Sequence, residues 1–159
     1  MITVKYINSP IGYVMIEAGD NYVTKISVSD VPPLRFHDGE ELDSNMQQCE
    51  RELIEYFEGR RKHFTFKYKN IGTPFRERVW QQLEKIPYGE TVSYRDIAKS
   101  INNENAVRAV GGANHHNNLW IVVPCHRVIG SNGHLTGYGG GIWRKEWLLD
   151  HEKKFRGGL

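Results

Sequence analysis

Cys125, His126 and Arg127 stand side by side behind an apolar approach, Leu119-Trp120-Ile121-Val122-Val123-Pro124, and ahead of Val128 and Ile129. A thiol beside an imidazole and a guanidinium sits in positive surroundings, the condition that draws a cysteine pKa below its free value and enlarges its thiolate share. The residue types point to a cysteine nucleophile, with a structural thiol as the other reading. If the segment is extended, adjacent side chains diverge, so His126 does not touch the sulfur directly and a water relays the proton. Glu152, on a helical face with Trp147, Leu148 and His151, is the acid on offer to orient the other ring nitrogen. Metal binding has little support, because Cys125 and Cys49 are far apart in sequence and no C-x-x-C or H-x-x-x-H pattern exists. His115-His116 reads as part of a solvated turn, and the local signatures of cysteine peptidases are absent.

The elements that must position these residues fall into two lobes. Ile2 to Asn8, Tyr13 to Ala18 and Tyr22 to Val28 are strand-like and punctuated by Ser9-Pro10-Ile11-Gly12 and Gly19-Asp20-Asn21, which predicts an antiparallel meander. A polar loop from Asp30 to Asp43 follows. From Ser44, Met46, Cys49, Leu53, Ile54 and Phe57 recur at helical spacing until Gly59, so Cys49 reads as a core thiol. Phe64, Phe66 and Tyr68 alternate within His63 to Tyr68 and predict a further strand.

Thr73-Pro74 opens the second lobe as an N-cap with proline at the first helical position, and the apolar face runs from Phe75 to Ile86. Ser93 and Asp96 resemble a capping box for a short helix through Ile97, Ala98 and Ile101. Asn105 is expected to cap the next helix, Ala106 to about Ala113. Two short helices joined by a polar turn have the outline of a helix-turn-helix. The second helix is almost bare of side chains: Ala106, Ala109, Gly111, Gly112 and Ala113 leave Arg108 as its only long cation. Interior glycine costs roughly 1 kcal/mol against alanine, so the pair implies close approach of another surface or of a packed neighbouring helix. A major-groove reader would carry more polar side chains, and a shape-based contact in a narrow groove suits this helix better.

The chain of 159 residues is 39% hydrophobic and 25% charged, an ordinary globular composition that argues against disorder, collagen and coiled coil. No apolar run approaches the roughly 20 residues of a membrane span, and the start lacks the features of a secretory signal, so a cytoplasmic protein is expected. Two cysteines make no disulfide framework. The net charge of +2 conceals segregation. Residues 1 to 59 hold four basic and eleven acidic side chains, a net of −7, and residues 60 to 159 hold seventeen and eight, a net of +9. The basic second lobe is the natural partner for a phosphate backbone, with binding that weakens as salt rises.

Pro124-Cys125-His126-Arg127-Val128 resembles the active-site signature of the O6-alkylguanine-DNA alkyltransferases, also called methylated-DNA–protein-cysteine methyltransferases. The resemblance continues through Gly89-Glu90-Thr91-Val92-Ser93-Tyr94, Arg108-Ala109-Val110-Gly111-Gly112-Ala113, Asn117, Gly137-Tyr138-Gly139-Gly140-Gly141 and Lys145-Glu146-Trp147-Leu148-Leu149. It is strong from Thr73 to Glu152, whereas the first lobe is compatible and unspecific. It implies an α/β protein: a ribonuclease H-like lobe over residues 1–72 with antiparallel sheet and helix, then a mainly helical DNA-binding and alkyl-acceptor domain over 73–159. It also implies direct reversal of damage in DNA, with Cys125 taking the methyl or larger alkyl group from O6-alkylguanine, with O4-methylthymine as a second candidate substrate, once per molecule.

The roles carried over by the resemblance are specific. His126, through water and with Glu152 behind it, draws the proton from Cys125; Asn117 braces the segment between helix-turn-helix and nucleophile; Tyr94 donates toward N3 of the guanine. The carbonyls of Cys125 and Val128 accept from the exocyclic amine, the Gly139 N–H faces O6, and Tyr138 and Trp120 belong to the substrate pocket. Arg108 fills the gap left by the flipped base, and Arg95, Ala109, Gly111 and Ser131 join it at the DNA, which is bound through its minor groove by a monomer. No metal or cofactor is implied. Asn118 and Trp120 replace residues usual in the family, and Trp120 either narrows the pocket or stacks on the flipped base. A non-catalytic lesion binder is disfavoured by Cys125, and a helix-turn-helix regulator by the bare second helix.

Overall fold

Alternating β-branched and aromatic residues favour strands in the first part of the chain. In the computed structural model, which describes residues 2–34 and 43–157, β1 (Ile2–Ser9), β2 (Gly12–Gly19) and β3 (Tyr22–Ser29) form an antiparallel sheet in that order. Ser9 pairs with Gly12 and Gly19 with Tyr22, so both connections are two-residue turns. Asp20 and Asn21 have φ of 52° and 67°, the left-handed pair that a type I′ turn requires and that these two residue types tolerate. Of the loop expected from Asp30 to Asp43, residues 35–42 lie outside the described residues.

Helix α1 (Ser44–Phe57) buries Met46, Cys49, Leu53 and Tyr56. Its cap is Asp43, whose carboxylate accepts from the Met46 N–H at 2.8 Å. Cys49 is fully buried, and burial pushes its thiol well up, as suits an inert core residue.

The strand expected over His63 to Tyr68 does not form. Only Tyr68 bridges β3, at Val23, through hydrogen bonds of 3.0 Å on either side. The edge of β3 is divided between two segments: at Ile26 it pairs with Asn118 and Trp120 through bonds of 2.8 and 3.1 Å, so neither segment has length enough for a ladder. The alternation of Phe64, Phe66 and Tyr68 instead builds a run of ring contacts, 6.0 and 5.8 Å between centroids.

Helix α2 (Pro74–Leu83) is capped by Thr73, which accepts from Arg76 N–H at 3.2 Å. It stops short of Ile86, and tighter turns complete that stretch. Strand β4 (Val92–Ser93) leads into α3 (Tyr94–Ser100), where both bonds of the Ser93–Asp96 capping box are present. Helix α4 (Val107–His115) lacks the side-chain cap expected from Asn105. A turn closed by the Ala106 N–H on the Asn103 carbonyl shifts the cap to Ala106, which has no acceptor to offer. Strand β5 (Val128–Ile129) pairs in parallel with β4, Val92 opposite Val128, and α5 (Ile142–Phe155) completes the chain. The whole is α/β, an antiparallel sheet with its helix followed by a mainly helical lobe containing the helix-turn-helix. Among the described residues no helix is long and apolar enough to cross a membrane.

Candidate active site

Cys125, His126 and Arg127 form a single 3-10 turn rather than an extended segment. Pro124 supplies no N–H, and the turn closes with the Arg127 N–H on the Pro124 carbonyl at 3.0 Å. The approach is strained: Ile121, a buried β-branched residue, has φ of 73°. Asn117 holds it there. Its amide donates to the carbonyls of Leu119 (3.2 Å) and Val123 (2.8 Å), while its oxygen accepts from the Leu119 N–H (3.1 Å) and the Asn70 amide (2.9 Å). Asn118 ties the same stretch to the interlobe segment, donating to Asn70 and to the Ile71 carbonyl.

Behind the turn, Glu152 gathers a buried network. One oxygen accepts from His126 Nε2 (2.7 Å), Arg127 Nη2 (3.0 Å) and the Tyr56 hydroxyl (2.6 Å), the other from Arg127 Nε (2.8 Å) and the Gly89 N–H (3.2 Å). Burial pushes its carboxyl upward, but His126 and Arg127 outweigh burial and hold it well below its ordinary 4.5. Burial lowers the imidazole pKa, so His126 is neutral at pH 7. Its Nε2 carries the proton given to Glu152, and Nδ1, buried and without a hydrogen-bond partner, is left as the basic nitrogen.

The thiol does not follow the expectation from its neighbours. Burial, with 4% of Cys125 exposed, raises its pKa to about 11, and Asn117 and Lys145 offset only part of that. Desolvation thus exceeds the cationic surroundings, and the resting nucleophile is a thiol. Arg127, counted as a source of positive field, spends its charge on Glu152.

Lys145 has no role in the sequence reading beyond its place in a motif. Its side chain is fully buried, and its ammonium donates to the carbonyls of Val128 (2.5 Å) and Thr136 (2.8 Å). Burial lowers its pKa to about 8, against a partial upward pull from Cys125. The available signal was spacing: Lys145 lies three residues before Leu148 and seven before Glu152, on the buried stripe of α5.

The other pocket residues converge on one loop. Tyr94, at the start of α3, donates from its hydroxyl to the Thr136 carbonyl at 3.2 Å, and a Cβ on Gly137 would stand 3.7 Å from that hydroxyl. The Trp120 ring lies 5.3 Å from that of Tyr138 and would be 3.1 Å from a Cβ on Gly139. The carbonyl of Val128 accepts from Lys145, and that of Cys125 from the Val128 N–H and from Asn114.

Arg95, Arg108, Ala109 and Ser131 are all exposed. A Cβ on Gly111 or Gly112 would meet nothing within 4 Å, so the glycine face of α4 is open, while its opposite face, with Val110 and Ala113 buried and the Ala113 carbonyl accepting from Trp80 Nε1, packs against α2. Among the described residues no group of three or more His, Cys, Asp or Glu side chains is placed to hold a metal.

Residues 2–69 match the family described as 6-O-methylguanine DNA methyltransferase, ribonuclease-like domain, and residues 74–154 match its DNA binding domain. The methylated-DNA–protein-cysteine methyltransferase of Methanosarcina acetivorans is 45% identical over 153 residues, covering 91% of this chain and 94% of its own. The constitutive enzyme of the same name from Bacillus subtilis is 52% identical over 110 residues, 69% of this chain and 67% of its own. The crystal structure of Mycobacterium tuberculosis OGT in complex with DNA superposes with a TM-score of 0.85 at 41% identity, covering 96% of this chain and 93% of that one. The chain, with its buried cysteine turn beside a helix-turn-helix, belongs to the 6-O-methylguanine DNA methyltransferase family of DNA repair proteins.

Proposed function

We propose that the protein repairs O6-alkylguanine in double-stranded DNA by moving the alkyl group irreversibly to Cys125, one lesion per molecule. The observation that carries this reading is the buried thiol of Cys125 next to a histidine whose outer nitrogen is locked to Glu152, on a lobe that also presents the open face of α4. The lobe of residues 73–159 docks as a monomer in the minor groove, where the small residues Ala109 and Gly111 admit the backbone and Arg108 enters the stack as the damaged base swings out. Arg95 and Ser131 contact the strand beside it. Extrusion costs a few kcal/mol, least for a lesion whose pairing is already weakened. Residues 1–72 support this lobe, and the protein works in the cytoplasm.

In the pocket, the thiol proton passes through water to His126 Nδ1, Glu152 stabilises the imidazolium, and sulfur attacks the saturated carbon bound to O6. The S–C bond forms as the C–O bond breaks, and guanine leaves with a proton in place of the alkyl group. Tyr94 turns its hydroxyl from Thr136 toward N3, the Gly139 N–H faces O6, and the Val128 carbonyl accepts from the exocyclic amine. These donors stabilise charge that develops only as the base departs. The thioether has no route back, because the other thiol, Cys49, is sealed in the core under α1 and cannot reach it.

Intact mass after mixing with O6-methylguanine duplex DNA tests the reading. One methyl group per protein, absent in Cys125→Ala, is expected; tight binding without mass gain would instead support a lesion binder. The contact of Trp120 with Gly139 favours a narrowed pocket over stacking on the base. Trp120→Ala is therefore expected to raise the benzyl-to-methyl ratio of transfer rates by about tenfold, a shift of about 1.4 kcal/mol; an unchanged ratio places Trp120 outside the alkyl pocket.

A further inference from the structure

Arg144, the residue before Lys145, is buried, with 4% of its surface exposed. Its guanidinium is shared among three separate segments. Nε donates to the Ile11 carbonyl in the β1–β2 turn at 2.6 Å, Nη1 donates to the Gly140 carbonyl at 2.7 Å, and Nη2 pairs with the Asp30 carboxylate just beyond β3. Its plane also lies 4.5 Å from the Trp143 ring. A buried guanidinium has no water to fall back on, so these partners hold it in one place.

Gly140 is wedged by the same group. A Cβ there would lie 3.0 Å from Arg144 Cδ, 2.9 Å from the Trp120 ring and 3.1 Å from the Tyr138 ring. Gly12 meets the clamp from the other lobe, where a Cβ would lie 3.0 Å from Arg144 Nη2. The loop that bears Tyr138 and Gly139 is thus pinned between Trp120 on one side and a side chain anchored to the sheet on the other. Two of the three anchors, Ile11 and Asp30, belong to the first lobe, which carries none of the proposed DNA contacts.

We propose that Arg144 is a positioning residue through which the first lobe holds the Gly137–Gly141 loop in register over Cys125, so that this lobe sets the rate of alkyl transfer and not the affinity for DNA. The proposal rests on the alkyl-transfer reading above. A displacement of a fraction of an ångström in the Gly139 N–H costs little in binding, because the lesion is held elsewhere as well. It costs much in rate, because the contact to O6 counts only as the C–O bond breaks.

The test is single-turnover transfer from O6-methylguanine duplex DNA at saturation, with DNA affinity measured separately. Arg144→Leu is expected to slow transfer about tenfold or more while Kd for DNA stays within about twofold. Arg144→Lys, whose single ammonium cannot reach all three partners, is expected to recover part of that rate. Asp30→Ala removes an anchor whose side chain is 79% exposed, so the fold should survive; it is expected to slow transfer about two- to threefold at unchanged Tm. Amide exchange at Gly139 to Gly141 is expected to quicken in Asp30→Ala and Arg144→Lys, a readout that needs no alkyl transfer. Wild-type rates in folded Arg144→Leu, or a rate loss matched by an equal loss of affinity, overturn the proposal. If Arg144→Leu does not fold, unchanged rate and exchange in Asp30→Ala overturn it. A wild-type protein that gains no methyl group overturns the functional reading instead, and leaves the exchange result standing.

Discussion

Replacing Glu152 by glutamine is expected to cost about 3–5 kcal/mol of folding stability and to slow alkyl transfer about a hundredfold or more in whatever protein still folds. The carboxylate is fully buried and, among the described residues, is the only anion paired with Arg127, which is itself 6% exposed. An amide of the same shape fills the space but leaves the guanidinium charge uncompensated, which is the expensive way to break a buried pair. It also presents His126 with a group that can donate as well as accept, so Nε2 is no longer obliged to carry the proton and Nδ1 is no longer reserved as the base. Urea unfolding at pH 7 measures the first effect, and single-turnover transfer the second. The combined change Arg127→Met with Glu152→Gln separates the two, because removing both charges is expected to restore much of the stability and none of the rate.

The same network fixes the response to acid. The folded-state pKa of Glu152 lies well below its ordinary 4.5, so its contribution to stability is complete above 4.5 and is lost as pH falls through the folded value. The wild-type protein is expected to lose urea resistance steadily below pH 4.5. The glutamine variant, already without this carboxylate, is expected to show a flatter dependence over that range. Equal slopes would remove Glu152 from the explanation of acid lability.

Much of the site was legible because it is written in contiguous motifs. The capping box at Ser93 and Asp96 and the proline-led helix from Thr73 each depend on residues a few positions apart, and local rules reach that far; the turn at Cys125–Arg127, considered as an extended segment, lay beyond them. Relations that depend on desolvation or on distant partners were not legible. The Cys125 thiol was placed on the wrong side of its free pKa because neighbouring charges can be read from a sequence, whereas burial cannot. The strand expected at Phe64 to Tyr68 failed for a related reason: its partner edge on β3 is shared with Asn118 and Trp120, about fifty residues further on. Arg144 and Lys145 look like surface cations at the start of a helix. Only the fold shows that two carbonyls and a carboxylate, from three segments, surround one and that the other is sealed beside the nucleophile.

Lys145→Met is the second substitution expected to have a large effect, and its signature lies in the pH dependence. The ammonium supplies positive charge that favours ionising a thiol whose burial opposes it, and it orients the Val128 carbonyl proposed to receive the exocyclic amine. Methionine keeps the length and the apolar stem but removes both functions, so transfer at pH 7 is expected to fall about a hundredfold, the scale set by losing one preorganised electrostatic donor. With its pKa lowered from 10.5 to about 8, Lys145 loses its proton in mildly alkaline solution. Transfer by the wild-type protein is therefore expected to stop rising near pH 8, although the thiol itself, at about 11, is still far from ionised. The variant is expected to lack that break and to climb with pH until its thiol ionises. Stability supplies an independent check with a definite sign. A lysine whose folded pKa lies below its unfolded one binds fewer protons when folded, so the wild-type protein should gain stability as pH rises from about 8 to 10.5. The methionine variant should not, and a shared alkaline profile for both proteins would show that folding does not lower the Lys145 pKa, so that its deprotonation is not the source of a break in transfer near pH 8.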